Sequence, residues 1–259
     1  MVHFVGAGSG AVDLITVRGA RLLQEADVII YAGSLVNPEL LQYASEGTKI
    51  YNSAKMTLEE VIEVIEKAEA EGKMTVRLHT GDSSIYGAVK EQFDILDSMR
   101  IAYDVCPGVS SFCGAAASLK AEYTLPEISQ TVIISRTSGR TDVPEKESIK
   151  SLASHNATMI LFLSVGLIEK LQSELLEGGI SETTPAVIVY KATWPDEKIY
   201  YCNVGTLAQT AKENNVTRTA LVIVGEFLNA SSQMGQGSHY QRSRLYAPDF
   251  STEYREAKK

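Results

Sequence analysis

Val2-His3-Phe4-Val5-Gly6-Ala7-Gly8-Ser9-Gly10-Ala11 is the stretch that decides the fold class of this chain. Residues 2–5 form a run short enough for a buried strand, and the closely spaced glycines end it abruptly. Beyond them Leu14, Val17, Leu22 and Leu23, with Ala20 and Ala26, recur at helical spacing, and Asp13 offers an N-cap. Strand, glycine turn and helix in that order open an α/β unit.

The same order repeats outward. Residues 27–31 predict a second strand, and Thr57 with Glu60 predicts a capping box for a helix that Gly72 stops. Strands follow over 74–79 and 103–106, with a helix over 85–99 between them. After Pro107-Gly108, Ser110 or Ser111 caps an alanine-rich helix through Ala117. Five such units predict a mainly parallel sheet with helices on its faces.

Past an irregular segment at 121–130 the pattern changes. Strands are expected over 131–135, 158–163, 185–190, 198–203 and 220–226, with helices over 145–153 and 166–176. Pro195-Asp196-Glu197 predicts a hairpin that pairs 198–203 with 187–190. The expectation is two α/β domains, 1–122 with a mainly parallel sheet and 123–230 with a mixed one, followed by a polar tail over 231–259.

Composition narrows the class. At about 150 residues per domain, 259 residues suit one large domain or two ordinary ones. With 44% hydrophobic and 22% charged residues the chain is neither disordered nor collagen-like. Its three cysteines, Cys106, Cys113 and Cys202, are odd in number and lack Cys-x-x-Cys spacing, which argues against a disulfide framework and a zinc site and for a reducing compartment. The apolar run at 159–163 is far short of the ~20 residues of a membrane helix. No basic segment precedes residue 2, so a cytoplasmic protein without a signal peptide is expected. A net charge of −8 disfavours broad nucleic-acid binding.

The first glycine turn satisfies a relaxed G-x-G-x-x-A pattern, but a dinucleotide site needs an acid about twenty residues on, at the end of the second strand. Tyr31-Ala32-Gly33 stands there, and Asp27 lies at the wrong end of that strand. The turn is then either a tight connection or a place where a ligand meets backbone. His79-Thr80-Gly81-Asp82-Ser83-Ser84 and Pro107-Gly108-Val109-Ser110-Ser111 leave strands at the same sheet edge, where open α/β sheets bind ligands. Asp82 can cap a helix or accept from a ligand. Ser135-Arg136-Thr137-Ser138-Gly139-Arg140-Thr141 suits carboxylates or phosphate, because guanidinium binds them bidentately, and equally suits a solvated loop. His3, His155 and His239 have no ligand-like spacing, no metal-binding set is visible, and no Gly-x-Ser-x-Gly elbow is present.

Taken together, these motifs resemble the tetrapyrrole methylases, two-domain methyltransferases that use S-adenosylmethionine. The likeness rests on Gly6-Ala7-Gly8-Ser9-Gly10, Asp13-Leu14-Ile15-Thr16, Ala26-Asp27-Val28, Thr80-Gly81-Asp82, Tyr86-Gly87 and Pro107-Gly108-Val109-Ser110-Ser111. Tyr31-Ala32-Gly33-Ser34-Leu35-Val36, Arg136 with Gly139-Arg140-Thr141, and residues 189–198 point within the family to methylation of carbon 11 of precorrin-4 or cobalt-precorrin-4, in cobalamin synthesis. Ser9 and Ser83 stand where prolines are common in the family.

The resemblance implies a homodimer with S-adenosylmethionine folded between the domains. It assigns donor contacts to Ser9, Thr80, Gly81, Asp82, Ile85, Ser110 and Ser111, and to Leu163, Ser164, Ala192, Ala220 and Leu221. Because the tetrapyrrole carries many carboxylates, Arg136, Arg140, Lys191 and His79 are the expected cationic clamp, with Lys55, Arg242 and Arg244 as secondary candidates. No residue stands out as an obligatory catalytic base.

Overall fold

The computed structural model describes residues 1–230 and 243–257. Two compact units emerge: Met1–Gly114 with Lys191–Glu197, and Ala115–Tyr190 with the chain from Lys198 onward. The first unit thus includes a segment distant in sequence from residues 1–114.

The first unit contains β1 (Val2–Gly6), α1 (Val17–Glu25), β2 (Val28–Tyr31), β3 (Lys49–Asn52), α2 (Leu58–Ala70), β4 (Thr75–His79), α3 (Lys90–Met99) and β5 (Tyr103–Cys106), and it ends within α4 (Ser111–Leu119). Its strands are all parallel, in the order β3-β2-β4-β1-β5. Side-chain alternation sends Val5, Ile29, Val76 and Leu78 to one face, with Leu22 and Leu23 of α1. The opposite face packs Phe4, Val28 and Ile30 against Val61, Ile62 and Ile65 of α2 and Leu96 of α3. Burial on both faces explains why these strands read as apolar runs.

Two features of this unit differ from the sequence reading. β3 carries Lys49 and Ile50 exposed on the sheet edge, so it has no buried period to betray it. The helix expected from residue 85 starts only at Lys90, because Tyr86 and Ala88 have left-handed backbones (φ 54° and 48°) that no α-helix accommodates.

The second unit holds β6 (Val132–Arg136), α5 (Ile149–Ala153), β7 (Thr158–Phe162), α6 (Ile168–Glu177), β8 (Pro185–Tyr190), β9 (Lys198–Asn203), α7 (Leu207–Glu213) and β10 (Ala220–Val224). The strand order is β6-β7-β10-β8-β9, and only β6 and β7 run parallel. The expected mixed sheet and hairpin are both present, with Pro185 opposite Asn203 and Tyr190 opposite Lys198. Met159, Leu161, Ile188 and Val222 meet Ile149, Leu171, Leu175 and Leu207 in one core. α7 is too short, with only Leu207 and Ala211 buried, to reveal itself by periodicity.

Of the expected polar tail, residues 231–242 and 258–259 lie outside the described residues. Arg255 gathers 245–250 by donating to the carbonyls of Leu245, Ala247 and Phe250. No described helix is long and apolar enough to cross a membrane.

Arg77 is the one arginine buried beneath the parallel sheet among the described residues. Its Nε donates to Gln92 Oε1 at 3.0 Å and Nη1 to the Ile30 carbonyl at 3.0 Å. Burial lowers its pKa to about 10, so the cation persists at neutral pH and depends on those acceptors. Gln92→Leu should lower unfolding free energy by about 1.5–3 kcal/mol, measured by urea denaturation, because it strands a buried charge. An unchanged midpoint would contradict this.

Candidate functional site

Three turns leave one edge of the parallel sheet, after β1, β4 and β5, and β1 lies between the other two strands. Gly8 and Gly81 join two of the turns through paired backbone bonds, N–H to carbonyl, of 3.2 and 2.9 Å. A Cβ on Gly6 would fall 2.6 Å from Gly108 Cα and from the Gly81 carbonyl oxygen. One on Gly108 would fall 2.2 Å from that same oxygen. Neither position has room for a side chain, so the glycines set how closely the three turns approach.

Asp82 clamps the arrangement. Its Oδ2 accepts from the Gly108 amide at 2.8 Å, while Oδ1 accepts from the Ser84 amide at 2.9 Å and hydroxyl at 2.5 Å. Burial opposes ionisation of Asp82, but the bonds from Ser84 and Gly108 outweigh it and hold the carboxyl below its ordinary pKa. Asp82 is thus a cap and a strap at once. Ile85 and Ser111 are half-buried around it, and Ser110 is buried.

Thr80 Oγ1 and His79 Nε2 are buried without a hydrogen-bond partner among the described residues. His79 is only 4% exposed and its ring lies 6.0 Å from that of Phe4. Burial, with the Arg77 cation adding to it, pushes its pKa down to about 3. His79 is therefore neutral and offers no charge to a carboxylate.

The segment Lys191–Glu197 belongs to the same unit and backs the first glycine turn. Ser9 Oγ and Thr193 Oγ1 are 2.9 Å apart, and the Ala11 amide donates to Thr193 Oγ1 at 3.1 Å. A Cβ on Gly10 would lie 2.0 Å from Trp194 Cδ1 and 2.8 Å from the Ala192 carbonyl oxygen. Ser9, standing where a proline is common, thus contributes a hydroxyl bond that proline cannot make, and Trp194 is a packing partner of Gly10. Ala192 is buried. Lys191 has its ammonium 2.6 Å from Asp196 Oδ2 and 4.9 Å from the Trp194 ring centroid.

In the second unit, β6 and β7 end side by side at Arg136 and Phe162, and Ala220 lies opposite Tyr190 at the start of β10, with Leu221 opposite Val189. Ser164 is fully buried: its hydroxyl donates to the Phe162 carbonyl at 2.7 Å and accepts from the Thr137 amide at 2.8 Å. Leu163 is 61% exposed with a left-handed φ of 53°, an arrangement that costs about 1–3 kcal/mol and gathers at functional sites. Arg136 donates to the carbonyls of Thr141 (3.1 Å) and Asp142 (2.9 Å), so it arches its own loop. Arg140, on that arch, is exposed with no ion-pair partner among the described residues.

The sequence marks Thr137 only as one hydroxyl residue of the loop at 135–141; its hydroxyl is buried without a partner among the described residues. Lys55 is exposed beyond β3, Arg244 lies over the Phe250 ring, and Arg242 lies outside the described residues. Among the described residues no group of three His, Cys, Asp or Glu could hold a metal ion.

Comparison with known proteins follows this geometry. The model of the tetrapyrrole (corrin/porphyrin) methylases matches residues 1–208. A cobalt-precorrin-4 C(11)-methyltransferase of Methanocaldococcus jannaschii is 52% identical over 258 residues, covering 100% of this chain and 97% of the relative. A solved cobalt-precorrin-4 methyltransferase of cobalamin biosynthesis superposes with a TM-score of 0.86 at 44% identity, covering 88% of this chain and 95% of the other. A uroporphyrin-III C-methyltransferase of Thermus thermophilus, solved in complex with S-adenosylhomocysteine, gives a TM-score of 0.74 at 26% identity, covering 88% and 92%.

Two measurements check this geometry. Gly108→Ala should destabilise the protein by about 1–3 kcal/mol or more, since its Cβ meets backbone on two sides. A melting temperature equal to wild type would show the turns can part freely. His79 has a depressed folded pKa against an unfolded value of about 6.5. Its contribution to stability is therefore intact above pH 6.5 and erodes as pH falls towards 3, at up to about 1.4 kcal/mol per pH unit. NMR of the ring should show it neutral at pH 5, and titration with a midpoint near 6.5 would contradict the burial argument.

Proposed function

Because the chain belongs to the tetrapyrrole (corrin/porphyrin) methylase family, we propose that it moves the methyl group of S-adenosylmethionine to carbon 11 of precorrin-4 or cobalt-precorrin-4. The products are the corresponding precorrin-5 and S-adenosylhomocysteine. The observation that carries this reading is the convergence of three turns that meet at glycines, at one edge of the parallel sheet, in a chain that matches a cobalt-precorrin-4 C(11)-methyltransferase along its whole length.

The residues suit such a donor. Gly6 and Gly108 let the three turns close on one another, the left-handed Gly81 leaves backbone without a Cβ beside them, and Thr80 has a buried hydroxyl with bonding capacity to spare. Thr80, Gly81, Ile85, Ser110, Ser111 and Ala192 hold the donor in the first unit. Asp82 and Ser9 act one step back: Asp82 fixes the turn at 80–84 on Gly108, and Ser9 fixes Ala192 through Thr193. When bound, the donor supplies an electrophilic sulfonium methyl. The chain's task is then to align the ring carbon with the S–CH3 bond and exclude water, a proximity effect.

The ring's carboxylates need cations, and the candidates divide by what their charges already do. Arg136 and Lys191 spend theirs shaping the loops that present Arg140 and Ala192. Arg140 is the direct contact. The same reading makes the protein a homodimer, which the family resemblance supports, and places it in the cytoplasm.

The decisive test incubates the protein with 13C-methyl-labelled S-adenosylmethionine and precorrin-4 or cobalt-precorrin-4. The label should appear on carbon 11 by NMR, and which ring form reacts identifies the natural substrate. Label on another carbon, or on neither ring, would overturn the reading. Arg140→Ala should raise the KM for the ring about tenfold or more, the loss of a charge-assisted bond, with donor affinity unchanged. Asp82→Ala should weaken donor binding by at least about tenfold in calorimetry. The reverse pattern in either variant would remove that residue from its role.

A further inference from the structure

The connection from β4 to α3 contains a residue that no role so far explains. Tyr86 has φ 54° and Ala88 has φ 48°, so two non-glycine residues within three positions adopt the left-handed region. Each such residue costs about 1–2 kcal/mol, and glycine would avoid the cost. Between them, Gly87 is pinned: a Cβ there would lie 2.1 Å from the Ser83 carbonyl oxygen. At the other end Asp82 fixes the segment through Ser84 and Gly108, and the Ile85 amide donates to the Asp82 carbonyl at 3.3 Å. The result is a rigid, strained turn where helical backbone would have placed Tyr86 in the first turn of α3. Tyr86 is 45% exposed there, in the turn that carries Gly81 and Asp82.

Strain of this kind persists only where surrounding structure enforces it, and it gathers at ligand contacts. A large aromatic ring in such a turn has a chemistry suited to one ligand class, a flat, conjugated or partly conjugated ring. Stacking needs only the π face and little side-chain entropy.

We propose that Tyr86 is a substrate-binding residue whose ring face packs against the tetrapyrrole macrocycle, and that the left-handed backbone at Tyr86 and Ala88 holds it there. This rests on the methyl-transfer reading above. The ring face, not the hydroxyl, carries the contact.

Tyr86→Gly removes the ring and relieves the left-handed backbone. The expected results are unchanged affinity for S-adenosylhomocysteine in calorimetry and a KM for the ring substrate raised about tenfold. Tyr86→Phe should keep KM within about twofold of wild type. An unchanged KM in Tyr86→Gly, a matching loss of S-adenosylhomocysteine affinity, or a Phe variant as impaired as the Gly variant would each overturn the proposal. If wild type itself methylates neither ring form, the methyl-transfer reading fails first, and the Tyr86 proposal with it.

Discussion

The backbone contact among Gly6, Gly81 and Gly108 is the constraint on which the candidate site depends. Parallel strands deliver three turns to one edge, but they do not by themselves bring those turns into contact. Contact requires the absence of a Cβ at Gly6 and Gly108, where distances of 2.2–2.6 Å to neighbouring backbone leave no room for even a methyl group, while Gly81 supplies a left-handed φ of 62°. Asp82 then turns closeness into rigidity by accepting from amides on two turns. Its carboxylate thereby gains the bonds that keep it ionised.

The same economy of polar groups recurs within each unit. Several residues that look like ligand contacts in sequence act mainly on other residues. Ser9 bonds Thr193, Arg136 holds its own loop, and Lys191 is paired with Asp196 beneath a Trp194 contact. Bonding capacity is left at Thr80 and Thr137, whose buried hydroxyls lack partners among the described residues, and at Arg140, which is exposed without an ion pair among them. Buried polar groups normally find partners, so an orphan hydroxyl at a strand end marks where a ligand can bond.

Much of this was legible in the sequence, and what was not has physical causes. Strands buried on both faces, such as β1 and β4, announce themselves as apolar runs bounded by glycine. The edge strand β3, half in solvent, does not. The start of α3 was misplaced because Ile85, Tyr86 and Val89 fit a helical apolar pattern, whereas the backbone is set by the pinning of Gly87 and Asp82. Family motifs pointed to the three turns. They could not show that the Asp82 carboxylate is a strap or that the His79 ring is neutral, because both properties come from partners many residues away. Thr137 was hidden for the same reason: burial of its hydroxyl depends on how β6 and β7 end together.

The central claim is that these turns form a donor-binding edge, and a crystal structure with S-adenosylhomocysteine tests it most directly. The account predicts the ligand against Gly81 and Ser110–Ser111, with Thr80 Oγ1 bonded to it and the Asp82–Gly108 bond intact. A ligand seated away from the three turns, or turns that must separate to admit it, would contradict the account.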